Sequence, residues 1–282
     1  MADTGTYVYA VTREEDRAGP EVLEGLSGVA GAPVRTVPQA GLVAYVSSVP
    51  LTRFGEEPLR RSLEDLDWLG ATARAHHRVV EAVARAAATA PVRLVTVYGG
   101  DDQVREMLAR RRRDFQDVLA RLAGRSEWGV KVYAEPPPSA RAGERGAVPA
   151  GGGPEQAGRP GTEYLRRRKA SLRSRDDAWR EATERAEHVH AALAAVSAAS
   201  TRHRPQDPQL SGRDDWMLLN GAYLVDDGRR REFEAALDAL REPGVEIQLT
   251  GPWAPYSFAG FGPEAARDDP PPAPSGEGGG AR

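Results

Sequence analysis

The stretch VRLVTVYGGDDQVREMLARRRRDFQDVLARLAGRSEWGVKVYAE, residues 92–135, changes its hydrophobic period twice. VRLVTVYGG is nearly continuously apolar and closes on two glycines, which suits a strand in the middle of a sheet. From Asp101 onward the apolar residues recur at three and four: Val104, Leu108, Phe115, Val118, Leu119 and Leu122 make one helical seam. Asp101 reads as the N-cap, and Gly124 takes the usual place just past a C-terminus. EWGVKVYAE then returns to a strand.

Working outward, TYVYAV (6–11), APVRTVP (32–38) and GLVAYVSSV (41–49) read as extended segments separated by Gly and Pro turns. From Glu56 the period lengthens: Leu66, Leu69, Ala73, Val80, Val83, Ala84 and Ala87 predict one helix of about eight turns, ending near Ala90-Pro91. Residues 6–135 thus run ββ, α, β, α, β, the pattern of a ferredoxin-like α+β sandwich with helices on one face of a mainly antiparallel sheet. The expected N-terminal α+β domain is 1–135. Residues 136–161, PPPSARAGERGAVPAGGGPEQAGRPG, offer almost nothing to a core and read as a flexible linker. A C-terminal helical and α+β domain over 162–262 begins with a long helix through residues 162–200, apolar at Leu165, Leu172, Trp179, Ala186, Val189, Leu193 and Val196. It continues with the strand DWMLLNGAYLVDD, a helix carrying Phe233, Ala236, Leu237 and Leu240 on one side, and the strand VEIQLTGPW, a split β-α-β unit. Residues 263–282 have the composition of a disordered tail.

Composition narrows the function classes. With a net charge of −3, general affinity for nucleic acid through phosphate neutralisation is not expected. The absence of cysteine excludes disulfides, thiolate metal sites and cysteine nucleophiles. No apolar run reaches the ~18 residues of a membrane span, and MADTGTYVYAVTREEDRAG lacks the pattern of an export signal, so the chain reads as soluble and cytoplasmic.

Site chemistry is thin in the sequence. His76-His77 are adjacent, so on a helix they point about 100° apart and do not chelate one ion; His188 and His190 are no better placed. The glycines of YGGDD lie between strand and helix, where amides hold phosphate, but the P-loop and G-x-G-x-x-G patterns are absent and two aspartates would repel an anion. No metal, cofactor or catalytic constellation emerges. RRRR (110–113) reads first as a solvated helix face, but rotation by 100° per residue puts Arg111 nearly in line with Val104, Phe115 and Leu122, where it snorkels to the rim or meets a carboxylate or carbonyl; a basic patch for an acidic partner is the remaining reading. LTGPWAPYSF (249–258) alternates Ile247 and Leu249 inward, bends at Gly251-Pro252, and holds Trp253, Tyr256 and Phe258 on a stiff segment. Trp253 is expected mostly buried, with Tyr256 or Phe258 nearer a partner; the four candidate partner-binding residues are therefore Trp253, Tyr256, Phe258 and Arg111.

Several stretches in order, YVYAV (7–11), HHRVVEAV (76–83), APVRLVTVY (90–98), EWGVKVY (127–133), EYLRRRK (163–169), LNGAYLV (219–225), RRREFEAAL (229–237) and VEIQLTGPWAPYSF (245–258), resemble the gas vesicle protein L/F family. The chain departs from that family's pattern at His77-Arg78, where a His-Glu pair is common, at Leu94-Val95, where Phe-Gly is common, and at Ala254, where a second proline is common. The resemblance implies a non-enzymatic accessory protein of gas vesicle assembly, associated with gas vesicles and contacting the hydrophobic shell protein and other accessory proteins as an adaptor or chaperone-like factor. The other reading is a small-molecule-binding or enzymatic ferredoxin-like α+β protein, because such sheets host many functions.

Overall fold

The computed structural model describes residues 4–134, 160–205 and 215–260. It divides into two units, the first ending at Ala123 and taking up the chain again from Phe258, the second running Gly124–Ser257. As expected, the class is α+β, with helices and two four-stranded antiparallel sheets.

In the first unit β1 (Thr4–Arg13), β2 (Arg35–Gln39), β3 (Leu42–Pro50) and β4 (Ala90–Tyr98) are ordered β2-β3-β1-β4. The helices are α1 (Pro20–Leu23), α2 (Leu51–Phe54), α3 (Glu56–Ser62), α4 (Leu66–Ala84), α5 (Asp101–Arg110) and α6 (Arg112–Leu122). Strand β1 is buried at every position from Gly5 to Thr12, which explains its unbroken apolar and aromatic run. In the second unit β5 (Arg125–Ala134), α7 (Pro160–Ala195), β6 (Ala199–Arg202), β7 (Trp216–Asp226), α8 (Arg230–Ala239) and β8 (Val245–Trp253) follow the β-α-β-β-α-β order, with the sheet arranged β6-β7-β5-β8. Its core joins Trp128, Val130 and Val132 of β5 to Leu193 of α7 and to Phe233 and Leu237 of α8. The two sheets share one strand order.

Four expectations need correcting. The strand at 125–134, assigned to the N-terminal domain ending at 135, lies at the centre of the second sheet, paired on one side with β7 and on the other with β8; its period identifies it as a strand and says nothing of its neighbours. The long helix expected from Glu56 breaks into α3 and α4, because the Asp65 side chain accepts from the Asp67 and Trp68 amides at 3.0 and 3.1 Å and starts a new helix there. Leu66, expected on the seam, is consequently exposed at the first turn. The helix expected across 101–123 is interrupted at Arg111, whose φ of −100° and ψ of 20° separate α5 from α6. The long C-terminal helix ends at Ala195, and residues 199–202 pair with β7. The linker and tail readings fall outside the described residues, apart from Pro160 and Gly161, which open α7.

Candidate partner-binding surface

Strand β8 is the outermost strand of the second sheet among the described residues. Ile247 is buried and Leu249 packs against the core, as the alternation predicts. Pairing with β5 is regular down to Gly129 opposite Thr250, and then jumps to Glu127 opposite Trp253. One residue of β5 thus faces two of β8, a bulge. Its extra residue inverts the side-chain parity of the strand beyond it. Trp253, on the same parity as Ile247 and Leu249, would have pointed inward in an unbroken strand; it is 41% exposed instead, which overturns the expectation that it is mostly buried. Gly251 makes the bulge possible: its φ is +124°, and an added Cβ would lie 2.9 Å from the Glu127 carbonyl oxygen and 3.3 Å from the Trp128 ring. Trp128, nearly fully buried, fills the adjoining core beneath the Arg230 guanidinium, 5.0 Å from its ring.

Beyond Trp253 the chain turns tightly, with the Tyr256 amide donating to the Ala254 carbonyl at 2.8 Å. Glu127 then fastens it. Its carboxylate accepts from the Ser257 amide at 2.8 Å and from the Ser257 hydroxyl at 2.6 Å, and the same hydroxyl lies 3.1 Å from Nε2 of His203. Burial pushes the Glu127 carboxyl up from its ordinary range, while the two Ser257 bonds and the His203 charge pull the other way. Acid, serine and histidine meet here in an order opposed to nucleophilic catalysis. The serine hydroxyl donates to the carboxylate and not, as a base-activated nucleophile would, to the imidazole. The arrangement is a clasp that fixes the segment after Trp253. Sequence reasoning passed over all three members, since Glu127 and Ser257 are brought together across 130 positions and His203 lies outside every motif read from the sequence.

The other candidates lie elsewhere or less openly. Tyr256 and Phe258 are both half-buried. Arg111 belongs to the first unit; its side chain is only 20% exposed, its Nε lies 3.5 Å from Asp114, and its guanidinium sits 5.8 Å from the Phe115 ring centre. The side chain is therefore largely covered beside Phe115, at the break between α5 and α6. His76 is packed in the core against Tyr7 and Tyr9, with Nδ1 3.0 Å from the Tyr7 hydroxyl, and burial lowers its pKa to about 4. His77 faces Glu81 at 3.8 Å. Asp101 is not the N-cap; Gly100 holds that position, and the Asp101 carboxylate instead takes two bonds from Arg35 and one from Thr6, which hold it below its usual pKa. No helix among the described residues is long and apolar enough to cross a membrane.

The family profile described as "Gas vesicle synthesis protein GvpL/GvpF" matches residues 5–260. The chain belongs to the GvpL/GvpF family. Gas vesicle protein L of Streptomyces sp. (strain CB03234) is 46% identical over 92% of this chain and 94% of its own length. Gas vesicle protein L1 of Halobacterium salinarum is 26% identical over 90% of each chain. Crystal structures of GvpF from Anabaena sp. PCC7120 and from Microcystis aeruginosa share the GvpL/GvpF fold, with TM-scores of 0.61 and 0.56 at 18% and 19% identity, covering 92% and 91% of this chain and 97% and 99% of theirs. The bulge, the exposed Trp253 and the Glu127–Ser257 clasp are thus features of a GvpL/GvpF-family protein.

Proposed function

We propose that this GvpL/GvpF-family chain is a non-enzymatic accessory factor of gas vesicle assembly that binds the hydrophobic shell protein, together with other accessory proteins, as an adaptor or chaperone-like factor. The observation that carries this reading is Trp253: a large aromatic turned outward by a built bulge, on an outer strand, next to a segment fastened by Glu127. Tryptophan supplies wide contact area at low entropic cost, which is the character of an interface anchor. Tyr256 extends the candidate contact along the second unit, and Phe258 and Arg111 are offered as separate contacts on the first unit. Shell subunits that later line a gas space expose apolar surface before assembly, and a protein able to cover that surface suppresses aggregation. The fold class and location in the cell that this role requires are those of a cytoplasmic protein working at the vesicle.

The test is capture of purified shell protein by the full chain, with Trp253→Ala as the variant. An interface anchor of this size predicts binding weakened about tenfold or more, with a melting temperature lowered far less than by loss of a core tryptophan, because 41% of Trp253 stands in solvent. Binding is expected to persist in EDTA and without nucleotide. Retained affinity in Trp253→Ala would move the contact elsewhere, and loss of binding on chelation alone would end the cofactor-free reading.

A further inference from the structure

Apart from Leu94 on β4, the large apolar side chains that stand in the open outside β8 among the described residues fall on two surfaces, and these carry opposite charge. The first is the corner between α3 and α4, where Leu63 is exposed and Leu66 is 80% exposed. Across residues 56–67 the chain holds Glu56, Glu57, Glu64, Asp65 and Asp67 against Arg60 and Arg61, and both arginines lie on the α3 side. Arg60 is engaged by Glu56 and Glu57, so the rim next to Leu66 is acidic. The second surface is the N-terminal half of α7. The stripe that is buried on the second sheet at Ala186, Val189 and Leu193 continues toward the helix start through Trp179, which meets Trp216 edge-on at 4.8 Å, to Leu172, which is 53% exposed. Residues 165–175, LRRRKASLRSR, hold only basic charges, and Arg168, Lys169 and Arg173 beside Leu172 are exposed, with Asp176 and Asp177 closing the run on the C-terminal side, where Asp177 pairs with Arg180. The apolar stripe therefore outruns the sheet that covers it and enters a basic setting.

We propose that the α7 arm of one chain docks by Leu172 on the α3–α4 corner of a second copy of this chain, with Leu63 and Leu66 beneath it and the basic flank of the arm against the Glu64–Asp67 rim. Apolar contact supplies the affinity, and the opposed charges select this pairing over arm with arm or corner with corner, where like charges would meet. The occupant is a second copy because the chain itself carries the complementary surface. Since the two surfaces differ, the contact is heterologous, and each added copy leaves one free arm and one free corner. Association by this contact is open-ended, giving rings or filaments, and the few side chains involved put it among small, reversible interfaces. This inference does not depend on shell-protein binding through Trp253.

Sedimentation velocity on the full chain over rising concentration tests it, with Leu66→Ser and Leu172→Ser as variants at exposed positions where the fold tolerates a small polar residue. The expected result is concentration-dependent species beyond the monomer, weakened about tenfold in each variant and weakened again when salt is raised from ~0.05 to ~0.5 M. At concentrations where neither variant associates alone, an equal mixture of the two retains one intact corner and one intact arm, and therefore forms dimers and nothing larger. Capture of shell protein should be unchanged in both variants, which separates this contact from the Trp253 surface. A chain that stays monomeric at all concentrations overturns the proposal. So does association lost in Leu172→Ser but kept in Leu66→Ser, which would mean arm on arm, and so does a mixture that forms no dimer or grows beyond it.

Discussion

Val95 offers a sharp test of the first sheet. Between Ala10 opposite Pro91 and Val8 opposite Thr96, the β4 edge carries residues 92–95 against the single residue Tyr9. Val95 closes this bulge with φ at +64°, a region that a β-branched side chain enters only under strain. It is held there because its amide donates to the buried Tyr7 hydroxyl at 3.0 Å, the same hydroxyl that meets His76. The left-handed conformation costs an L-residue about 1–2 kcal/mol, and glycine escapes that penalty. Val95→Gly alone is a poor measure, since it also removes a half-buried side chain and loosens the unfolded chain. Val95→Gly compared with Val95→Ala isolates the backbone. At an ordinary extended position glycine is less stable than alanine by about 0.5–1 kcal/mol; at φ of +64° the order inverts, with glycine ahead by about 1 kcal/mol after its entropic loss is deducted. For a unit of this size that is about 3–4 °C in Tm. Scanning calorimetry, with hydrogen exchange at the amides of residues 7–11 to assign the transition to this unit, reads the difference. An alanine variant equal to or more stable than the glycine variant would refute the strained-bulge reading.

Three further outcomes are expected. His76 is neutral and buried, with a folded pKa near 4 against an ordinary 6.5; the unfolded chain binds the proton first, so stability falls as pH drops from about 6.5 toward 4, by on the order of 2–3 kcal/mol across that window. Urea midpoints against pH should show this slope in the first unit, and an equal slope in His76→Gln would assign it to other groups. Arg111→Ala should destabilise the first unit by about 1 kcal/mol through its lost stem packing and Phe115 contact, and Arg110→Ala and Arg113→Ala by much less; equal midpoints for all three in denaturant would return the run to a solvated face. Limited proteolysis should cut first within 136–159 or after Pro263, leaving both sheets intact, and mass spectrometry finding early cleavage inside residues 92–122 or within the strand at 125–134, away from the junction of the two units at Ala123 and Gly124, would contradict separately stable units.

The sequence alone determined what depends on near neighbours. Period, propensity and punctuation located β7, α8 and β8 and assigned Phe233 and Leu237 to one buried side, because those signals are set within a few turns or strand repeats. Gly124 marked the end of α6 for the same reason, its φ of +66° being open to glycine at little cost. The ordered motifs also carried the family. Tertiary structure decided whatever rests on a partner far along the chain. A strand's alternation is the same in either sheet, so only pairing with β7 and β8 could place β5. Asp101 looks like a cap until Arg35, 66 positions away, claims its carboxylate, and Asp65 caps the Asp67 and Trp68 amides where a continuous seam suggested no helix start. At Trp253 the deciding event is one extra residue opposite Trp128: parity along a strand is local, but the bulge that inverts it exists only once β8 has paired with β5, and that pairing is what turns the indole from the core to the surface.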